Sequence, residues 1–198
     1  MNLPNKLTLS RIALTPVVLL FTVPLPFMPA AFNAFILTWP GRLVALFLFS
    51  AASLTDLYDG RIARAKNIVS TFGKFLDPIA DKLLIISVLI AFAELNRLSS
   101  FVPVIVLFRE LAITGIRLLA AEKGVVIAAS RAGKWKTVTQ ITAVIWLLAE
   151  PILLQFIRNR TAVERTGNIL IGLSLALAVW SLFMYLRSAG HYLKADTK

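Results

Sequence analysis

The chain contains no cysteine, which excludes disulfides and thiolate-bound metal. It has one histidine, His191, which lies in a polar tail and reads as a solvated side chain. Charge is scarce: 16% of the 198 residues are charged, 10 of them Asp or Glu against 21 Lys or Arg. With 58% hydrophobic residues and a mean hydropathy of +0.80, this composition excludes a soluble domain of this size. The chain reads as an integral membrane protein.

Crossing a bilayer takes about 20 mainly apolar residues in a helix. The apolar runs predict an all-α bundle of about six transmembrane helices, near residues 12–31, 39–58, 75–95, 101–121, 137–157 and 167–187. Residues 1–198 read as a single membrane-embedded domain without an internal repeat. Residues 1–11, from Pro4 to Arg11 above all, read as an N-terminal interfacial amphipathic helix leading into the first span. A signal peptide is the competing reading, since Lys6 and Arg11 precede an apolar stretch ending near Pro29-Ala30-Ala31. The run from Ile12 to Gly41 carries no charge, which favours a span, and Pro16, Pro24 and Pro26 are expected to kink or end its helix.

Lysine and arginine locate the cytoplasm. They collect at Lys6 and Arg11, at Arg61, Arg64, Lys66 and Lys74, and at Lys123, Arg131, Lys134 and Lys136. These segments alternate with nearly uncharged ones around 22–41 and 94–100, so both termini are expected inside. The loop with Arg158, Arg160 and Arg165 runs against the rule. The net charge of +11 follows from cytoplasmic loops and anionic headgroups, so nucleic acid is not needed to explain it.

Against this background Asp56, Asp59, Asp77 and Asp81 stand out, because carboxylates beside long apolar runs are costly unless they are partnered or functional. Offsets of three, four, seven and eight return to one helix face, and Asp56, Asp59, Gly60, Ala63 and Arg64 follow them. Gly73, Asp77 and Asp81 follow at intervals of four, so two facing stripes would enclose an acidic pocket with little side-chain bulk. Such oxygen donors suit hard divalent ions, Mg²⁺ or Mn²⁺, shared with substrate phosphates. Two divalent ions would nearly cancel four carboxylates and fit phosphoryl-transfer chemistry. Gly60, Ala63 and Gly73 leave the backbone open to a flat nucleotide, and Arg64 offers charge to a phosphate.

The stretch Asp-x-x-Asp-Gly-x-x-Ala-Arg, eight residues, Gly-x-x-x-Asp-x-x-x-Asp, complete from Asp56 to Asp81, resembles the signature of the CDP-alcohol phosphotransferases. The resemblance implies that an alcohol attacks the β-phosphate of a CDP-linked lipid and CMP leaves. It implies metal binding by Asp56, Asp59, Asp77 and Asp81, with Asp81 also the general base. It implies CDP-lipid binding by Asp56, Gly60, Ala63, Arg64 and Gly73, and a homodimer.

Arg109, Arg117, Arg131, Lys134 and Lys136 border the cytoplasmic ends of the fourth and fifth spans and favour an anionic acceptor over a neutral alcohol. The segments Asn2 to Arg11, Arg109-Glu110 and Ser130 to Gln140 resemble the bacterial phosphatidylglycerophosphate synthase branch of that family. This implies CDP-diacylglycerol as donor, sn-glycerol 3-phosphate as acceptor, and an acceptor-phosphate site of Thr8, Arg109, Arg117, Lys134 and Lys136. It also implies a multi-pass protein of the bacterial inner membrane with its active site facing the cytoplasm.

Simpler readings compete. Asp77 before Pro78 is a common helix start. Glu110 could pair with a neighbouring arginine, and Lys134 and Lys136 could be topology charges. Trp39 and Trp135 read as interfacial belt residues, Gly167 and Gly172 as packing surface. A sibling enzyme using phosphatidylglycerol or an inositol phosphate, a divalent-cation carrier and a structural membrane protein are the competing functions. The carrier lacks a mirrored second half of broken helices, and the scaffold leaves four carboxylates without a role.

Overall fold

The computed structural model describes the backbone of residues 3–66, 71–122 and 131–193, and the side chains of residues 9–55, 80, 82–122 and 133–187. Among the described residues it is all-helical: α1 (Leu3–Leu20), α2 (Ala30–Ile36), α3 (Trp39–Lys66), α4 (Thr71–Glu94), α5 (Phe101–Glu122), α6 (Arg131–Phe156) and α7 (Arg160–Leu193).

The N-terminal region departs from expectation. Residues 3–11 are not a separate helix but the start of α1, which runs through Pro16 and stops at Leu20. The first predicted span, 12–31, is thereby corrected, because Pro24 and Pro26 lie in a non-helical segment between α1 and α2. Asn33 pins that segment from α2: its Nδ2 donates to the Leu25 carbonyl at 2.9 Å, and its Oδ1 accepts from the Leu25 amide at 3.1 Å. The α2–α3 corner bends by 71°. Pro40 falls in the first turn of α3, where its missing N–H is harmless. Gly41 packs so tightly that a Cβ there would strike the Phe35 carbonyl and Ile36 Cα.

Helices α6 and α7 form the most extensive pair; α3 lies on α6, α1 on both α3 and α4, and α5 between α4 and α7. Val18, Phe49, Val88, Leu89, Phe92, Val144, Leu147 and Leu148 fill the centre. Polarity is inverted relative to a water-soluble bundle. Arg11, Arg42, Arg109, Glu110, Lys136, Gln140 and Glu150 are buried, while Phe47, Phe101, Phe108, Leu111, Trp180 and Phe183 face outward. Charges turned inward under an apolar exterior are what a hydrocarbon solvent demands. Arg42 illustrates the rule, donating to the Thr22 carbonyl just beyond α1 at 2.6 Å, a group without a helical partner.

Among the described residues, Gly133–Phe156 and Arg160–Arg187 are each long and apolar enough to cross a membrane, and the bent pair Ala30–Ile36 with Trp39–Thr55 makes a third if it is one span. The other candidates fall short for visible reasons. Helix α5 carries Arg109, Glu110 and Arg117 within its length, α4 carries Lys74, Asp77, Asp81 and Lys82 in its first half, and α1 carries Lys6 and Arg11 in its first half.

A polar clamp closes one end of the bundle. Asn96 ends α4 in the left-handed region at φ 55°, a conformation Asn tolerates, and Arg97 follows it. Its Nε and Nη2 donate to the two Glu150 carboxylate oxygens on α6, both at 2.6 Å, and Nη1 reaches Asn168 Oδ1 on α7 at 2.8 Å. The Glu150 hydrogen bonds raise the Arg97 pKa above its ordinary value, so the guanidinium stays charged. A Cβ on Gly167 would strike Glu150 Oε1 and lie 2.9 Å from Arg97 Nη2. Gly167→Ala is expected to destabilise by roughly 1 kcal/mol, because displacing the clamp, about 1–3 kcal/mol, outweighs a helix-propensity gain of about 1 kcal/mol. Thermal unfolding in detergent checks this, and a raised midpoint would show that the clamp shifts freely.

Candidate functional site

The acidic motif spans the end of α3 and the start of α4. Asp56, Asp59, Gly60, Ala63 and Arg64 are helical residues of α3, and Gly73, Asp77 and Asp81 are helical residues of α4. The predicted helical register therefore holds on both segments, while the side chains of these residues lie outside the described set, as does that of Thr8 on α1. Asp77 is not a helix cap: α4 begins at Thr71, so Asp77 and Pro78 lie within it. Among the described residues no three His, Asp or Glu converge on a metal-sized site. The motif itself offers four oxygen-donor aspartates, a donor set that fits hard divalent ions.

The structure describes what adjoins Asp81. Lys82, its chain neighbour, points to α5, donating to Thr114 Oγ1 at 2.5 Å and lying 3.9 Å from Glu110 Oε2. Glu110 Oε1 also accepts from Lys136 Nζ on α6 at 2.5 Å and from Arg109 Nη1 at 2.8 Å. Arg109 Nη2 continues to Ser181 Oγ on α7 at 2.6 Å. One buried carboxylate thus gathers three cations from three helices, two of them, Arg109 and Lys136, buried and one, Lys82, part-exposed. Three cations gathered at one point offer an anion several charge-assisted donors at once.

Of the expected acceptor residues, Arg109 and Lys136 meet through Glu110. Arg117 sits apart on the α5–α7 seam, donating to the Tyr185 hydroxyl at 3.0 Å, with its guanidinium carbon 5.5 Å from the ring centre. Lys134 is exposed near the start of α6. Glu110 does pair with its neighbouring arginine, but it also binds a lysine 26 positions away. Ser181, Tyr185 and Gln140 were not singled out as site residues by the sequence. For Ser181 and Tyr185 a signal existed, two polar side chains four apart on one face of an apolar helix.

The polar clusters occupy opposite ends of α6. Lys136 and Glu150 are fourteen residues apart, about 21 Å at the helical rise, so the Arg97 clamp is remote from the cationic cluster.

Comparison with known proteins places these features in context. Residues 1–190 match the family model described as CDP-alcohol phosphatidyltransferase. A protein of Bacillus subtilis (strain 168), named CDP-diacylglycerol–glycerol-3-phosphate 3-phosphatidyltransferase, is 43% identical over 148 residues, 74% of this chain and 76% of that protein. One of the same name from Rickettsia bellii (strain RML369-C) is 33% identical over 192 residues, 96% of this chain and 97% of that one. A protein of Oryza sativa subsp. japonica named cardiolipin synthase (CMP-forming) is 32% identical over 202 residues, 94% of this chain and 57% of that one.

Proposed function

The chain belongs to the CDP-alcohol phosphatidyltransferase family, and we propose that it transfers a phosphatidyl group from CDP-diacylglycerol to sn-glycerol 3-phosphate, releasing phosphatidylglycerophosphate and CMP. The observation that carries the acceptor assignment is the cationic cluster of Lys82, Arg109 and Lys136, which begins one residue after Asp81. Three cations gathered next to the motif in the chain suit an acceptor that brings its own phosphate. The names of the Bacillus and Rickettsia relatives support the same substrates.

In this reading Asp81 takes the proton from the acceptor's primary hydroxyl as its oxygen attacks the β-phosphorus. The bond from that phosphorus to the CMP oxygen breaks, and CMP leaves. Lys82, Arg109 and Lys136 hold the acceptor phosphate so that the hydroxyl meets the phosphorus in line. Arg117 and Lys134 border this route. Gly60, Ala63, Arg64 and Gly73 take the cytidine and its phosphates. Asp56, Asp59, Asp77 and Asp81 would hold two divalent ions, Mg²⁺ or Mn²⁺, which when bound neutralise the pyrophosphate.

The chain acts as a single domain over residues 1–198, a six-span homodimer in the bacterial inner membrane, with residues 1–11 at the interface and the motif facing the cytoplasm. Lys66, Arg131 and Lys134 support that orientation. The arginines at the α6–α7 corner would then face outward. Arg160 is partly neutralised there, donating to Glu164 at 2.6 Å.

The test is CMP release by purified protein in liposomes with CDP-diacylglycerol and Mg²⁺. Release is expected to require both the metal and sn-glycerol 3-phosphate. The Oryza relative's name favours phosphatidylglycerol as a second acceptor to be offered, giving cardiolipin; release only with it, or with an inositol phosphate, would transfer the assignment to that acceptor.

A further inference from the structure

We propose that Gln140 reads a free hydroxyl of the acceptor, and so selects a polyol phosphate over a phosphate ester that lacks this hydroxyl. The proposal deepens the function proposed above and rests on it.

Gln140 is 1% exposed, and neither its Oε1 nor its Nε2 has a hydrogen-bond partner among the described residues. An amide offers two donors and two acceptor sites, and a buried one is almost always partnered. Other buried polar groups of the bundle obey that rule. Glu150 is held by Arg97, Arg42 by the Thr22 carbonyl, Ser181 by Arg109 and Ser174 by the Ile171 carbonyl. Arg109 leaves only Nε unbonded while both its Nη atoms are engaged, and Arg117, with Nε unbonded, donates through Nη2 to Tyr185. Gln140 is therefore unusual in leaving its whole polar group unmet.

Its place in the fold indicates what would meet it. Lys136 lies four residues earlier on α6 and is also buried, so the two share a face about one turn apart, roughly 6 Å along the axis. Beyond Gln140 the same face carries Ala143, Val144, Leu147 and Leu148, all buried and apolar. Gln140 is thus the last polar group on that face before the hydrocarbon core. A phosphate seated on Lys136, Arg109 and Lys82 leaves the short carbon chain of the acceptor to extend across one helical turn. A hydroxyl donates and accepts at once, so one hydroxyl satisfies both atoms of the amide. In sn-glycerol 3-phosphate the middle hydroxyl is free for this while the primary one attacks.

The experiment measures kcat/KM in liposomes for sn-glycerol 3-phosphate and for 3-hydroxypropyl phosphate, which lacks the middle hydroxyl, in wild type and Gln140→Leu. The wild type is expected to favour the glycerol ester by about tenfold to a hundredfold. The variant is expected to bring that ratio close to one, with the KM for CDP-diacylglycerol unchanged. Gln140→Met, nearly isosteric, takes its place should the leucine variant not fold. An equal ratio in wild type and variant overturns the proposal and leaves Gln140 a holder of structural water, and so does a wild type without preference. If the wild type releases CMP only with another polyol acceptor, the acceptor assignment fails by itself. The proposal then requires that Gln140→Leu raise that acceptor's KM and not that of CDP-diacylglycerol; an unchanged KM overturns it. A wild type inactive with every acceptor overturns both.

Discussion

Asp56→Asn is expected to lower CMP release by about 10³-fold or more while the protein remains folded. The substitution keeps shape and removes one negative charge, so it isolates the electrostatic part of the site. A divalent ion stabilises the transferring phosphoryl group by several kcal/mol, and each 1.36 kcal/mol is a factor of ten, so losing about 4 kcal/mol gives this fall. Asp59→Asn and Asp77→Asn are expected to behave alike. Asp81→Asn differs because Asp81 is also assigned the proton: raising Mg²⁺ is expected to restore part of the activity of Asp56→Asn but none of that of Asp81→Asn. Stability should move the opposite way. If the four aspartates form the proposed site they repel one another without metal, so each Asn variant should unfold no lower than wild type in EDTA and gain less from added Mg²⁺. Release measured across a Mg²⁺ series, with unfolding midpoints in EDTA and in Mg²⁺, tests both statements. Full activity in any of the four would remove that residue from the mechanism, and a collapsed midpoint in EDTA would make it structural.

The helicity of the two segments of the acidic motif was legible because its information is local: spacings of three, four and eight have meaning only on a helix, and both segments are helical. Arg109 and Arg117 were legible in part, since a cation within an apolar stretch implies a partner without naming it. Their partners, Ser181 and Tyr185, lie 72 and 68 positions away, and no local pattern links such distances. The same holds for Arg97 with Glu150, 53 apart. Hydropathy marked where the chain is apolar but not where its helices stop. The long uncharged run after Ile12 suggested one span, while the break within it was signalled by Pro24 and Pro26 and not by hydropathy, because apolarity is scored by side chains whereas termination is a matter of backbone donors. Glu110 was undervalued for a related reason. Beside Arg109 in sequence it suggested a simple neighbour pair, while its burial makes it the centre of a network.

Glu110→Gln is therefore expected to destabilise strongly. Removing one partner from a buried ionic cluster costs about 3–5 kcal/mol, chiefly through the charge left behind, and here three cations lose their shared counter-charge. With about 2–4 °C per kcal/mol for a chain of this size, the midpoint should fall by roughly 6–20 °C. A merely structural salt bridge would give the same fall, so the informative readout is what an anion does next. If the cluster is the phosphate site, sn-glycerol 3-phosphate or inorganic phosphate supplies the missing charge. Saturating ligand, at 100 times its Kd, contributes about 2.7 kcal/mol, enough to recover a large part of the loss. The midpoint of Glu110→Gln should thus rise more steeply with phosphate than that of wild type, whose cations are partly neutralised already. Lys136→Met should show no such gain, having lost a cation that would hold the anion. Catalysis should still suffer in Glu110→Gln, because the carboxylate also fixes where three flexible cations stand, and an acceptor bound in several poses seldom presents its hydroxyl in line. A variant that falls in stability but ignores phosphate would leave Glu110 as packing and move the acceptor phosphate to Arg117 and Lys134.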